Sequence, residues 1–221
     1  AKEIGAEHTV FANPHGLYDS KQVTTAKDMS LITQYALTVP GFEEIATAEE
    51  YEVHPKSYVT VHEDPWTWTH SNIIMSAASD FYVYGVKGIK TGNLQLSGRN
   101  IVTMGTYDGI KYLLVLLNAP FYDENGNSKY YHIIDACNFM EWVFDNFEYK
   151  ELLSEGEEIA EVKVENSDGN GYVLVKPEED VSTLWYNEVD VTSIQKNICK
   201  IYFPWFVNGC TVWNIRYIVL Y

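Results

Sequence analysis

Val86-Lys87-Gly88-Ile89-Lys90-Thr91-Gly92-Asn93 is the stretch on which the reading of this 221-residue chain turns. From Ile89 onward it has the character of a strand. Within it Lys90-Thr91-Gly92 sets an ammonium, a hydroxyl and a residue without Cβ in a row. In a regular strand Lys90 and Gly92 point to one face and Thr91 to the other, so a twist or bulge is needed to bring ammonium and hydroxyl toward one ligand. Gly92 lets a ligand backbone or a neighbouring element approach closely. Lys, Thr and Gly meet at the end of many exposed strands, so the triplet alone selects nothing and its surroundings have to decide.

Downstream, Ile101 to Tyr107 and Ile110 to Asn118 are joined by Asp108-Gly109, a dipeptide that tolerates positive φ and is favoured in two-residue hairpins. These two strands are expected beside the Lys90 strand in one antiparallel sheet. Ile133, Cys137, Met140, Phe144 and Phe147 then recur at four- and three-residue spacing, the pattern of a helix packed on a sheet. Upstream, Thr25-Ala26-Lys27-Asp28 fits a capping box, and Met29, Ile32, Tyr35, Ala36 and Val39 continue one helical face to Pro40-Gly41. Residues 42–84 read as irregular and aromatic, broken at Pro55 and Pro65. Near residue 152 the character changes to short alternating runs, Ala160 to Glu165 and Tyr172 to Lys176, around the turn-rich Asn166 to Gly171.

Phe11-Ala12-Asn13-Pro14-His15-Gly16-Leu17, Thr24-Thr25-Ala26-Lys27-Asp28-Met29, Gly88-Ile89-Lys90-Thr91-Gly92 and Ser97-Gly98 follow one another in the order and spacing of the low-molecular-mass penicillin-binding proteins. On these motifs the chain resembles the serine-type D-alanyl-D-alanine carboxypeptidases of the S11 peptidase family, from about residue 1 to about residue 197. The resemblance implies an α+β fold: a β-lactamase/transpeptidase-like domain, here its later part over 1–152, and a partial β-rich domain over 153–221. It implies removal of the terminal D-alanine from peptidoglycan pentapeptide stems through an acyl-serine intermediate, with β-lactams as covalent inhibitors and no metal or organic cofactor. It also implies an extracytoplasmic, membrane-associated setting in the cell envelope.

In such enzymes Lys-Thr-Gly is one of three co-operating motifs and walls the active-site cleft. The roles it implies are substrate binding for Lys90, Thr91 and Gly92, and an oxyanion-hole N–H for Asn93. Chemistry adds a reason: a carboxypeptidase must hold a free carboxylate, and an ammonium beside a hydroxyl supplies charge-assisted donors. The other two motifs, Ser-x-x-Lys and Ser-x-Asn, are not here in usable form. Ser193-Ile194-Gln195-Lys196 matches the first by letters but lies downstream of Lys90 where the family places it upstream, and Ser71-Asn72 and Asn127-Ser128 do not supply the second. The chain thus carries the gripping wall without nucleophile or base, and by itself is expected to be inactive. A non-catalytic cell-wall-binding relative is the alternative. A class A β-lactamase fits less well, because those enzymes lack a second β domain.

Composition excludes other classes. With 15 basic and 31 acidic residues the formal charge is −16, which disfavours nucleic acid and anionic lipid as electrostatic partners. Cys137, Cys199 and Cys210 form no disulfide framework, and Cys137, on an apolar helical side, is expected as a buried free thiol. His54, His62 and His70 recur every eight residues, but Pro55 and Pro65 interrupt any strand that would align them on a metal. His15, between Asn-Pro and Gly, reads as part of a turn. Ala1 to Ala6 reads as the end of a helix already under way, and no signal peptide opens the chain. Residues 198–221 do not fit the pattern: Ile201 to Ile215 is apolar but broken at Pro204 and Asn208-Gly209, and shorter than the ~20 residues of a spanning helix. A terminal strand pair and a reading-frame change both remain open for this tail.

Overall fold

A computed structural model of the chain describes residues 1–53, 66–163, 171–193, 196–198, 206–207, 210–211 and 218–220. They fall into two compact units, Ala1–Asp145 and Asn146–Tyr221.

The first unit is built on a three-stranded antiparallel sheet, β3 (Val86–Leu94), β4 (Gly98–Tyr107) and β5 (Ile110–Ala119), in that spatial order. As the sequence predicts, β4 and β5 form a hairpin closed by Asp108 and Gly109, both at positive φ (48° and 76°). Ile101, Thr103 and Gly105 point to one face of the sheet, and Val102 and Met104 to the other. Helix α3 (Tyr131–Asn146) covers the first face with Ile133, Ala136, Met140 and Phe144, packed with Val86, Ile101 and Ile74. Helices α1 (Ala26–Leu37) and α2 (Phe42–Ala46) serve the second face, where Leu37, Phe42 and Ala46 meet Ile89, Val102 and Met104. At Gly105 a Cβ would fall 2.6 Å from the Phe144 ring, so close helix–sheet packing depends on that glycine.

Several expectations shift in register. Thr25 caps α1 by accepting the Asp28 N–H at 3.1 Å. The Asp28 carboxylate, however, also accepts from Thr9 Oγ1 and the His8 N–H, both at 2.7 Å, on a segment outside the helix. Burial therefore rotates to Asp28, Thr33 and Leu37, leaving Tyr35 and Val39 exposed. Phe147, counted on the helical face, is the first residue of a strand, because its ring packs on Tyr186 across that strand, centroids 5.4 Å apart. Residues 42–84 contain more regular structure than their irregular look suggests: besides α2, β1 (Glu50–Val53) pairs antiparallel with β2 (Trp66–Thr69), and Ile73–Met75 form a 3-10 turn. Lys2–Ile4 form one 3-10 turn closed by Gly5 at φ 81°. His15 belongs to a turn: its Nδ1 accepts the Leu17 N–H at 3.2 Å while Asn13 holds Gly16 and Leu17.

In the second unit β6 (Phe147–Leu153) pairs with β9 (Val181–Tyr186), and β7 (Ala160–Lys163) with β8 (Tyr172–Val175), all antiparallel. The boundary drawn from sequence at 152/153 falls at the end of β6. In the tail Lys196–Ile198 pair with Ile218–Leu220, and Phe206–Val207 with Cys210–Thr211. The other tail residues, and Cys199, His54 and His62, lie outside the described residues. No helix among the described residues is long and apolar enough to cross a membrane.

Candidate functional site

The Lys90 strand is the outer strand of its sheet. Gly88 stands opposite Thr103, but Lys90 stands opposite Val102, so Ile89 is an extra residue in a bulge. Ile89 packs with Val102 and Met104 on the α1 face, and Lys90, opposite Val102, shares that face. Thr91, opposite Ile101, takes the α3 face. The expected bulge is present, but it precedes Lys90 and does not turn the Lys90 and Thr91 side chains to one side. Lys90 is exposed and its Nζ donates to the backbone carbonyl of Thr91. Thr91 is only 6% exposed, with its Oγ1 2.7 Å from Ser71 Oγ. Asn93 is exposed and pairs with Arg99 on β4. Among the described residues a Cβ at Gly92 would meet no atom beyond its chain neighbours within 4 Å.

The segment that delivers Ser71 is pinned on both sides. His70 Nδ1 accepts the Asn72 N–H at 2.9 Å, which leaves Nε2 to donate to the Ala46 carbonyl at 3.1 Å. Asn72, 1% exposed, caps the 3-10 turn by accepting the Ile74 N–H at 3.1 Å. Its amide donates to Thr103 Oγ1 at 3.1 Å, and that hydroxyl donates to the Lys87 carbonyl at 2.8 Å. This polar chain crosses an otherwise apolar core and is satisfied at each step, the condition under which buried polar groups stabilise. Gly88 is required beside it: a Cβ there would lie 2.5 Å from the His70 ring.

The far end of the strand is held by Asn100. Its amide nitrogen lies 3.3 Å from the Gly92 carbonyl and 3.2 Å from the Ser97 and Gly98 carbonyls, and its oxygen accepts the Asn118 N–H at 2.8 Å. Gly98, at φ 69°, makes a close strand contact, with Asn118 Cα 2.8 Å from where a Cβ would sit. Beside it Arg99, 8% exposed, lies between the Phe121 and Tyr130 rings at 4.8 and 4.4 Å and donates to Ser128 Oγ at 3.1 Å. His132 is 3% exposed, and desolvation, then the Arg99 charge, hold its pKa below the usual histidine value.

Sequence reasoning missed Ser71, Asn72 and Asn100 as members of this site. Asn72 could have been found, since Asn before a helical turn is a capping signature. The Ser71–Thr91 contact joins residues twenty positions apart in sequence and has no local signal. Cys137, expected buried, is half-buried: its thiol donates to the Phe81 carbonyl at 3.2 Å, and burial, then Glu141, push its pKa to about 11. Ser193 and Lys196 of the literal Ser-x-x-Lys match belong to a short 3-10 turn and a strand of the second unit.

Comparison with known proteins places this architecture. The family model described as D-alanyl-D-alanine carboxypeptidase matches residues 1–121. D-alanyl-D-alanine carboxypeptidase DacA of Haemophilus influenzae is 26% identical over 178 residues, 78% of this chain and 39% of the relative. D-alanyl-D-alanine carboxypeptidase DacF of Bacillus subtilis is 23% identical over 199 residues, 90% of this chain and 46% of the relative. The chain therefore spans less than half the length of these two curated relatives. Among solved structures, penicillin binding protein 5 from Haemophilus influenzae superposes with a TM-score of 0.59 at 21% identity, covering 89% of this chain and 51% of that one. The shared α+β fold is that of the penicillin-binding proteins.

Proposed function

The chain belongs to the S11 peptidase family of D-alanyl-D-alanine carboxypeptidases, and from that premise we propose that the protein trims the terminal D-alanine from peptidoglycan stem peptides through an acyl-serine intermediate. The observation that carries this reading is the Lys90-Thr91-Gly92 triplet on an outer strand, with the Lys90 ammonium exposed and the strand anchored at both ends. Lys90, exposed on the α1 face of the strand, attracts the terminal carboxylate by its charge, and the Thr91 and Ser71 hydroxyls on the other face orient it. The carbonyl of the penultimate residue is thereby presented to a serine activated by the lysine of a Ser-x-x-Lys pair lying outside these residues. The Asn93 N–H donates to the oxyanion as the tetrahedral intermediate forms, a contribution of about 3 kcal/mol for a well-aimed donor. The intermediate collapses with loss of D-alanine, and water then releases the acyl group from the serine. β-Lactams, which carry a carboxylate near a reactive acyl group, acylate the same serine. In this reading residues 1–152 are the later part of the catalytic domain and 153–221 a partial β domain, with the protein working in the cell envelope.

The test is Lys90→Ala in the complete protein. Acylation by penicillin should fall by orders of magnitude while thermal stability stays nearly unchanged, because an exposed lysine contributes little packing. Acylation equal to the parent removes Lys90 from the site, and absence of acylation in the parent itself favours the non-catalytic cell-wall-binding relative.

A further inference from the structure

Of the two hydroxyls that meet at the strand, the interior one belongs to Thr91 of the triplet and the outward one to Ser71 of the segment packed beside it. Thr91 is 6% exposed and its Oγ1 lies 2.7 Å from Ser71 Oγ, while Ser71 itself is exposed. We infer that Ser71 presents the hydroxyl that contacts the terminal carboxylate of a D-alanyl peptide, with Thr91 behind it as a positioning residue; the inference rests on the reading just given. A hydroxyl has one proton to donate and two lone pairs. If Ser71 donates outward to a carboxylate, it is free to accept from Thr91 O–H, and the two form a chain in which each bond strengthens the next.

The placement of Ser71 is built, not incidental. Its preceding neighbour His70 is fixed through Ala46, and its following neighbour Asn72 is fixed through Ile74 and Thr103. The backbone that carries the hydroxyl is thus held on both sides by hydrogen bonds from interior groups, the preorganisation a recognition site needs. Gly88, which has no room for a Cβ against His70, keeps this segment close to the strand.

The experiment is an amide-detected NMR titration of residues 1–221 with N-acetyl-D-alanine and, separately, with its uncharged amide, following Thr91 and Asn93. The parent should prefer the acid. Ser71→Ala should lose that preference by about tenfold, as expected for one hydrogen bond to a charged group. Ser71→Thr, which keeps the hydroxyl, should retain it, and Thr91→Val should weaken it less than Ser71→Ala does. A merely structural role for Ser71 would weaken acid and amide alike. Loss of preference in Thr91→Val with none in Ser71→Ala overturns the assignment to Ser71 and leaves the Lys90 and Thr91 reading standing. A parent that does not distinguish acid from amide overturns both.

Discussion

The two faces of the three-stranded sheet are packed by different chemistry. On the α1 face Ile89, Val102 and Met104 pack with Leu37 of α1, Phe42 and Ala46 of α2, and Leu113 and Val115 of β5. On the α3 face the apolar cluster around Ile101 and Met140 is interrupted by Asn72 and Thr103, joined by a hydrogen bond, and Thr91 on the outer strand contacts Ser71, the residue before Asn72. Apolar packing is non-directional and tolerates substitutions that keep volume, whereas a buried hydrogen-bonded chain admits one geometry. One face therefore supplies stability, and the other gives part of its interior to placing the segment His70–Met75 against the Lys90 strand.

The largest effect should come from breaking the apolar face. Met104, 2% exposed, cut to Ala should cost roughly 2–5 kcal/mol in urea unfolding. Asn72→Ala should cost less, roughly 1–3 kcal/mol, because it removes the hydrogen bond that Thr103 Oγ1 accepts and uncaps the 3-10 turn. The amide spectrum separates the two substitutions: Asn72→Ala should move Ser71 and Thr91, and Met104→Ala should leave them near their parent positions. Equal movement of Ser71 and Thr91 in both variants would abolish the division of labour between the faces.

A smaller effect distinguishes the faces by pH. At the start of α1, desolvation raises the Asp28 pKa, but the hydrogen bonds from Thr9, His8 and Thr25 outweigh it and hold the carboxyl below its usual value of 3.8. Its stabilisation is therefore complete above 3.8 and lost as pH falls through the lower folded value. At the start of α3, His132 is held below 6.5, so its neutral form favours the fold above 6.5 and stability declines as pH drops beneath that value toward the folded one. Unfolding free energy followed from pH 8 downward should fall in two windows. His132→Gln should remove the upper slope and Asp28→Asn the lower, and one featureless slope in the parent would contradict both assignments.

The smallest effect concerns Cys137 beneath the α3 face. With its thiol pKa near 11, little thiolate exists at pH 8, so labelling by a disulfide reagent should be slow in the folded chain and fast in urea. Rapid labelling of the folded chain would mean that the helix opens readily.

How far the sequence could be read follows the same division. The hairpin was legible because Asp108-Gly109 needs positive φ at both positions, a local demand written in two letters. Helix α3 was legible from Ile133, Met140 and Phe144, while Phe147 was misplaced because a cross-strand ring contact with Tyr186 overrides the continuing helical period. The face of α1 was misread because Asp28 is drawn inward by Thr9 and His8, a pull from a segment about twenty residues away. In the candidate site, Lys90 and Gly92 are carried by a short motif, but Ser71 and Asn100 acquire meaning only when separate strands and loops meet. Local chemistry is visible in sequence; convergence is not.

No Ser-x-x-Lys precedes Lys90 within residues 1–221, so in the proposed reading they supply the strand that holds the carboxylate and not the attacking serine–lysine pair. Incubation of residues 1–221 with a fluorescent penicillin, followed by intact-mass analysis, tests that division. The expected mass is unmodified at every time point. A stable one-to-one penicilloyl adduct that maps to a serine of this chain, Ser71 or Ser193 included, would contradict it.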